Sequence, residues 1–153
     1  MSSESTIKTR AFALLARREH TRHELYQKLL LRQFAPCTIE VVLDWLAAQN
    51  YQSDRRFVES YIEVGLRRGY GILKIEHELK KRGIQDKALI AQLLPQDEDL
   101  WLEQITALWQ KKFSHVTGND WSERAKQTRF FQARGFTLEQ IKKLWQTLGS
   151  VCK

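Results

Sequence analysis

Leu25-Tyr26-Gln27-Lys28-Leu29-Leu30-Leu31-Arg32-Gln33-Phe34 decides the fold, because it returns at an offset of 50 residues as Ile75-Glu76-His77-Glu78-Leu79-Lys80-Lys81-Arg82-Gly83-Ile84. Leu25, Leu29, Arg32 and Phe34 fall on Ile75, Leu79, Arg82 and Ile84. Working outward, Ile39 and Leu43 fall on Leu89 and Leu93, and Arg17-Arg18 on Arg67-Arg68. A third copy follows at an offset of 52, where Leu79, Arg82-Gly83-Ile84, Leu89 and Leu93 become Phe131, Arg134-Gly135-Phe136, Ile141 and Trp145. Repeated units of this size stack on their neighbours to share a core, which predicts an elongated molecule with broad faces. Such faces suit a large partner better than an enclosed small substrate.

Each copy reads as three helices. In the first, Ala11 to Arg18 offers Phe12, Leu14 and Leu15 as apolar positions. A second helix opens on Thr21-Arg22-His23-Glu24, a capping box in which Thr21 accepts from the amide three residues on while Glu24 reaches back. It buries Leu25 and Leu29. The third follows Pro36, a residue suited to a helix N-terminus. Ile39, Val42, Leu43 and Leu46 then lie at i, i+3, i+4 and i+7, one helical face, and Asn50 ends it in the left-handed conformation.

The second copy begins at Asp54 as an N-cap, with Phe57, Tyr61 and Val64 on one face. Gly69-Tyr70-Gly71 breaks it as a tight connection, and Ile72, Ile75 and Leu79 form the next stripe, closed by Gly83. Asp86 opens the helix carrying Leu89 and Leu93, which Pro95 stops. In the third copy Asp97-Glu98-Asp99 suits a helix N-terminus, and Trp101, Ile105 and Leu108 follow as a stripe. Residues 114–119 read as a loop, and Asp120-Trp121-Ser122-Glu123 as a second capping box. Ile141, Leu144, Trp145 and Leu148 repeat the helical spacing. No segment alternates with period two. The fold class is therefore all-α: an N-terminal tail over 1–10, then tandem three-helix repeats over 11–53, 54–96 and 97–153.

The 153 residues carry 25 Lys/Arg against 18 Asp/Glu, a formal net charge of +7. Residues 1–82 hold 15 basic and 10 acidic side chains, and residues 83–153 hold 10 and 8. A basic balance fits a polyanion such as nucleic acid, or an acidic protein surface. Cys37 and Cys152 stand far apart with no Cys-x-x-Cys spacing, which points to free thiols in a reducing cytoplasm rather than a disulfide framework. The first six residues are polar and no apolar run is long enough for a membrane span, so a soluble cytoplasmic monomer is expected.

Catalysis finds no support. The glycines form no phosphate-cradling loop with a following Lys, and Ser, Cys and His show no recognisable nucleophile arrangement. His20 and His23 share a helix-entry turn but lack further ligands nearby, so capping and surface roles suit them better than a metal. No cofactor is implied. The basic residues are the candidates: Arg17, Arg18, Arg22, Lys28 and Arg32 in the first copy, and Arg55 and Arg56 between copies. Arg67, Arg68, Lys74, Lys80, Lys81 and Arg82 follow in the second, then Lys126, Arg129 and Arg134 in the third. Repeated at like places, they would line one groove and meet phosphates or carboxylates. Glu24–Lys28, Glu63–Arg67, Glu76–Lys80 and Glu78–Arg82 stand at i, i+4 and predict internal pairs worth about 0.2–0.5 kcal/mol each. Arg18, Arg22, Arg32, Arg68 and Lys81 lack such an acid and are expected to reach outward. Tyr51 and Tyr70, in connections, are the candidate base-stacking residues.

Taken together these residues resemble the RecX family, bacterial regulators of the RecA recombinase, from about Ala11 to Leu148. The most specific stretch is Asp54-Arg55-Arg56-Phe57, Arg68-Gly69-Tyr70-Gly71, Lys74-Ile75, Glu78-Leu79 and Lys81-Arg82-Gly83-Ile84. His20-Thr21, Glu24-Leu25 and Lys28-Leu29 match in the first repeat. Lys126, Arg129-Phe130, Arg134-Gly135-Phe136 and Ile141 match in the third. The resemblance implies an elongated, curved array of three-helix repeats without enzymatic activity. It implies binding in the groove of the RecA–DNA filament, with limits on filament growth, strand exchange, ATP hydrolysis and coprotease activity. Arg18, Arg22, Arg68, Lys74 and Lys81 would be its main anchors, and DNA is a possible direct contact. The chain departs from the family pattern at Gly65 (usually Arg), Ile72 (usually Pro) and Asn50 (usually Gly); the first of these removes an expected groove contact. The rival readings are a direct nucleic-acid-binding module of helix-turn-helix type and a helical scaffold for an acidic protein.

Overall fold

The computed structural model describes residues 2–116 and 120–151, without the side chains of 150 and 151. Among the described residues there are nine α-helices and no strand: α1 (Ser3–Arg17), α2 (Arg22–Leu31), α3 (Pro36–Ala48), α4 (Asp54–Arg67), α5 (Ile72–Lys81), α6 (Lys87–Leu93), α7 (Glu98–Phe113), α8 (Trp121–Ala133) and α9 (Leu138–Val151). None of them is long and apolar enough to cross a membrane. Cys152 and residues 117–119 of the expected loop lie outside the described residues.

The helix ends explain themselves chemically. Thr21 accepts from the Glu24 amide while the Glu24 carboxylate accepts from the Thr21 amide, the reciprocal capping box that opens α2. Pro36 opens α3, Asp86 accepts from the Leu89 amide, and Asp97 accepts from the Asp99 amide. Three expectations need correction. Ser2 accepts from the Ser5 amide and starts α1 at Ser3, so residues 3–10 are helix and not a tail, and Ile7 joins Ala11 in the core. Ser53, not Asp54, caps α4 by accepting from the Arg56 amide; the Asp54 carboxylate instead accepts from the Arg22 amide and the Gln52 side chain. Asp120 does cap α8, but Glu123 accepts from the Gln127 side chain and does not close a box.

The chain forms two compact units, one of residues 1–61 and 79–91, the other of 62–78 and 92–153. Their boundaries cut α4 and α5, so the middle repeat is divided between them. In the first unit Ile7, Ala11, Leu25, Leu29, Ile39, Val42, Leu43 and Leu46 form one buried cluster. In the second, Phe131 is fully buried and meets Phe113, Phe136 and Trp145 edge-on, geometry that favours aromatic pairs beyond their area.

Within each unit one repeat is fastened to the next by the same joint. The Thr21 hydroxyl donates to the Arg82 carbonyl at 2.7 Å. At the matching place one repeat later, the Gly71 amide donates to the Arg134 carbonyl at 2.7 Å and the Leu73 amide to the Gly135 carbonyl at 2.9 Å. The helix start presses so closely that a Cβ on Gly83 would lie 2.3 Å from the His23 Cβ, and one on Gly71 would lie 2.4 Å from the Gly135 carbonyl carbon. Gly83 and Gly135 also take left-handed φ values of 94° and 96°. Gln33 holds the corresponding place in the first repeat at φ 65°, where it is exposed and a side chain is tolerated.

Candidate functional site

Three of the predicted basic residues converge in the first unit. Arg17 at the end of α1, Lys28 in α2 and Arg32 just after it line a depression of about 320 Å³, together with Arg10. Among the described residues no acidic side chain lines it, and its apolar floor includes Leu14 and Leu29. Lys28 is held beside His20, its Nζ 2.9 Å from the ring Nε2. His20 is buried, contrary to the surface role expected for it. Burial lowers its pKa, partly offset by the hydrogen bond at 3.0 Å between its Nδ1 and the Arg18 carbonyl. The ring donates from Nδ1 to the Arg18 carbonyl and accepts a hydrogen bond from the Lys28 ammonium at Nε2.

Other predicted residues of this unit are spent internally. Arg18 and Arg22, expected to reach outward, do not. Arg18 makes a two-pronged pair with Glu24, at 2.9 and 3.3 Å. Arg22 crosses to α3, meeting Glu40 at 2.6 Å and Asp44 at 2.8 Å. Burial alone would lower the Arg22 pKa, but these two carboxylates outweigh it and raise it. Arg56 pairs with Glu19 at 2.8 Å and donates to the Asn50 and Tyr51 carbonyls. Arg55 pairs with Glu59 at 3.2 Å. Arg82 reaches Glu24 at 3.4 Å and stacks over Phe57 and Tyr61. Burial pushes the Glu24 carboxyl up, yet hydrogen bonds from Arg18 and the Thr21 amide hold it below its usual range. None of the four predicted i, i+4 pairs forms among the described residues; Glu24 turns to Arg18 and Arg82 and leaves Lys28. Lys80 and Lys81 are exposed and make no ion pair there.

In the second unit Arg67, Arg68 and Lys126 are exposed with no ion pair among the described residues. Lys74 rests over the Tyr70 ring at 4.3 Å. Arg134 donates to the Arg68 carbonyl and lies over Phe130. Arg129 lines a groove between α8 and α9. Tyr51 meets Phe12 and Trp45 at 4.9 and 5.7 Å between ring centroids, so its ring is already engaged, as is that of Tyr70. Gly65 is buried, and a Cβ there would approach Ile75 at 2.9 Å. That position faces packing in this chain, so its loss as a groove contact is a change of core and not of surface. Asn50 adopts φ 62°, the conformation usually left to glycine.

Sequence reasoning missed Arg10, Arg124 and Lys142. Arg10 falls one turn before Leu14 and two before Arg17 on the α1 face, a spacing concealed while residues 1–10 were read as a tail.

Family models for the first, second and third three-helix domains of RecX match residues 8–46, 53–94 and 98–145. A regulatory protein RecX of Legionella pneumophila (strain Corby) is 41% identical over 140 residues, covering 92% of this chain and 93% of that protein. One from Pseudomonas savastanoi pv. phaseolicola is 41% identical over 143 residues, covering 94% and 92%. The crystal structure of RecX from Lactobacillus salivarius superposes with a TM-score of 0.85 over 96% of this chain and 97% of that one, at 21% identity, a likeness of fold. Three matched domains in order, across nearly the whole of both relatives, establish that the chain belongs to the RecX family of regulatory proteins.

Proposed function

We propose that this protein is a negative regulator of the RecA recombinase. It docks in the groove of the RecA–DNA filament and limits filament growth, ATP hydrolysis, strand exchange and coprotease activity. It acts as a cytoplasmic monomer and catalyses nothing itself. The observation that carries the reading is the depression ringed by Arg10, Arg17, Lys28 and Arg32, with no acid lining it among the described residues. Four cations left without internal carboxylates attract phosphates or acidic side chains, and those on rim positions govern association rate and salt sensitivity. Arg67, Arg68, Lys74, Lys80, Lys81, Lys126 and Arg129 are the further contacts. Arg18, Arg22, Arg55, Arg56, Arg82 and Arg134 position the helices from which these contacts project. Several weak contacts acting together give firm attachment without any one dominating.

Direct binding to nucleic acid is the second reading, since the same four cations suit phosphates. RecA ATP hydrolysis on single-stranded DNA, titrated with this protein beside its binding to bare DNA, separates the two. Inhibition well below the concentration that coats bare DNA supports the filament regulator. Inhibition only once the DNA itself is occupied supports the plain binder and rejects the first reading.

A further inference from the structure

The third repeat carries a groove of which the recombinase reading uses only Arg129. Between α8 and α9 a cleft of about 440 Å³ is walled by Trp121, Ala125 and Thr128 on one side and Leu138, Ile141 and Trp145 on the other. Trp121 is 89% exposed and Leu138 54% exposed. Two large apolar side chains left in solvent at one cleft mark a surface meant to be covered.

The charge around this cleft identifies what covers it. Among the described residues, Arg124, Arg129 and Lys142 are its only charged lining residues. Arg124 stands over the Trp145 ring at 5.3 Å, and its Nε is buried with no hydrogen-bond partner among the described residues. The first repeat shows what has been removed. Arg22 occupies there the place of Arg124, and Glu40 the place of Lys142; Arg22 is neutralised by Glu40 and Asp44 across α2 and α3. In the third repeat a cation replaces the facing carboxylate, and the rim is left positive. The carboxylates must then come from outside.

We propose that the α8–α9 groove binds an acidic amphipathic helical segment of a protein partner, with apolar anchors between Trp121 and Leu138 and carboxylates on Arg124, Arg129 and Lys142. The contributing stretch of α8, from Trp121 to Thr128, spans about 12 Å, room for roughly two turns of a docked helix. Ala125 and Thr128 are small and leave the middle open so that a backbone can approach, while the anchors fall at i, i+3 or i+4, and i+7. A single strand of nucleic acid is the poorer fit, because stacking requires successive free aromatic faces and here Trp145 already lies under Arg124, leaving Trp121 beside the aliphatic Ala125, Leu138 and Ile141.

The test uses the full chain with a labelled synthetic helical peptide bearing Leu at i, i+4 and i+7 and Glu elsewhere, followed by fluorescence anisotropy. A Gln-for-Glu peptide, an oligothymidylate and sedimentation of the chain alone complete it. The acidic peptide should bind, and the Gln peptide should bind about tenfold more weakly or worse. Trp121→Ser, Leu138→Ser and the pair Arg129→Glu/Lys142→Glu should each weaken it about tenfold with circular dichroism unchanged. The four positions are exposed, so loss of fold does not confound the result. Equal binding of both peptides, indifference to Trp121→Ser and Leu138→Ser, or oligothymidylate binding that depends on these residues would each overturn the proposal. So would self-association abolished by Trp121→Ser, which would make a second copy the occupant. The assay contains no recombinase, so its failure would leave the filament reading standing.

Discussion

Replacing Gly71 by alanine tests the joint between the second and third repeats. The added Cβ would lie 2.4 Å from the Gly135 carbonyl carbon and 2.5 Å from both the Gly135 oxygen and the Phe136 nitrogen, all main-chain atoms that cannot rotate aside. The backbones must separate, which stretches the Gly71–Arg134 and Leu73–Gly135 hydrogen bonds. Two such bonds are worth about 1–3 kcal/mol together, and forced overpacking adds about 1–3 kcal/mol. Urea unfolding of Gly71→Ala should therefore show a loss of roughly 2–6 kcal/mol. Amide hydrogen exchange should find Gly71 and Leu73 deprotected. Gly149→Ala is the matched control: nothing among the described residues lies within 4 Å of its Cβ position in α9, and alanine should stabilise the helix by up to about 1 kcal/mol. Equal effects of the two substitutions, or retained protection at Gly71 and Leu73, would refute the joint.

Charge reversal at Arg17 and Arg32 together should weaken RecA ATPase inhibition roughly tenfold while the melting temperature stays unchanged, since neither makes an ion pair among the described residues. Arg22→Glu should instead lower stability by about 1–2 kcal/mol, as two partly exposed pairs to Glu40 and Asp44 turn repulsive; denaturant midpoints distinguish the two classes. The Glu24 carboxyl titrates below its usual range, so its contribution is present above the unfolded-state pKa and lost as pH falls through the folded-state value. Wild type and Glu24→Gln should then differ in urea midpoint at neutral pH and converge in acid, and a gap that persists in acid would contradict that assignment.

The repeat was legible because its marks are local. Apolar residues three and four apart, Thr21 with Glu24, Pro36 and the Arg-Gly pairs each act within one turn or cap, and the sequence displays such spacings directly. The start of α1 was missed because Ser2 caps a turn whose first apolar residue is Ile7, too little periodicity to announce a helix. The state of each arginine was not legible. An i, i+4 rule sees one helix, whereas Arg22 finds Glu40 and Asp44 across 18 and 22 residues, and Arg56 finds Glu19 across 37. Arg18 reaches Glu24 through a bend that no helical spacing describes. What separates an anchoring cation from a structural one is tertiary proximity, and the α8–α9 groove was hidden for the same reason.

The repeat joint grips main chain rather than side chain on its accepting side: the Arg82, Arg134 and Gly135 carbonyls receive the bonds, and the glycines at the seam make room. A connector written in backbone atoms fixes the glycines at its seam and leaves the other residues around it unrestricted. The middle repeat holds both halves, the donating start at Gly71 and the accepting Arg82-Gly83, so a duplicated gene segment covering it would produce a module that mates with its own copy. Length thus becomes a parameter that tandem duplication can lengthen or deletion shorten, while surface charges drift to suit whatever partner the array must follow.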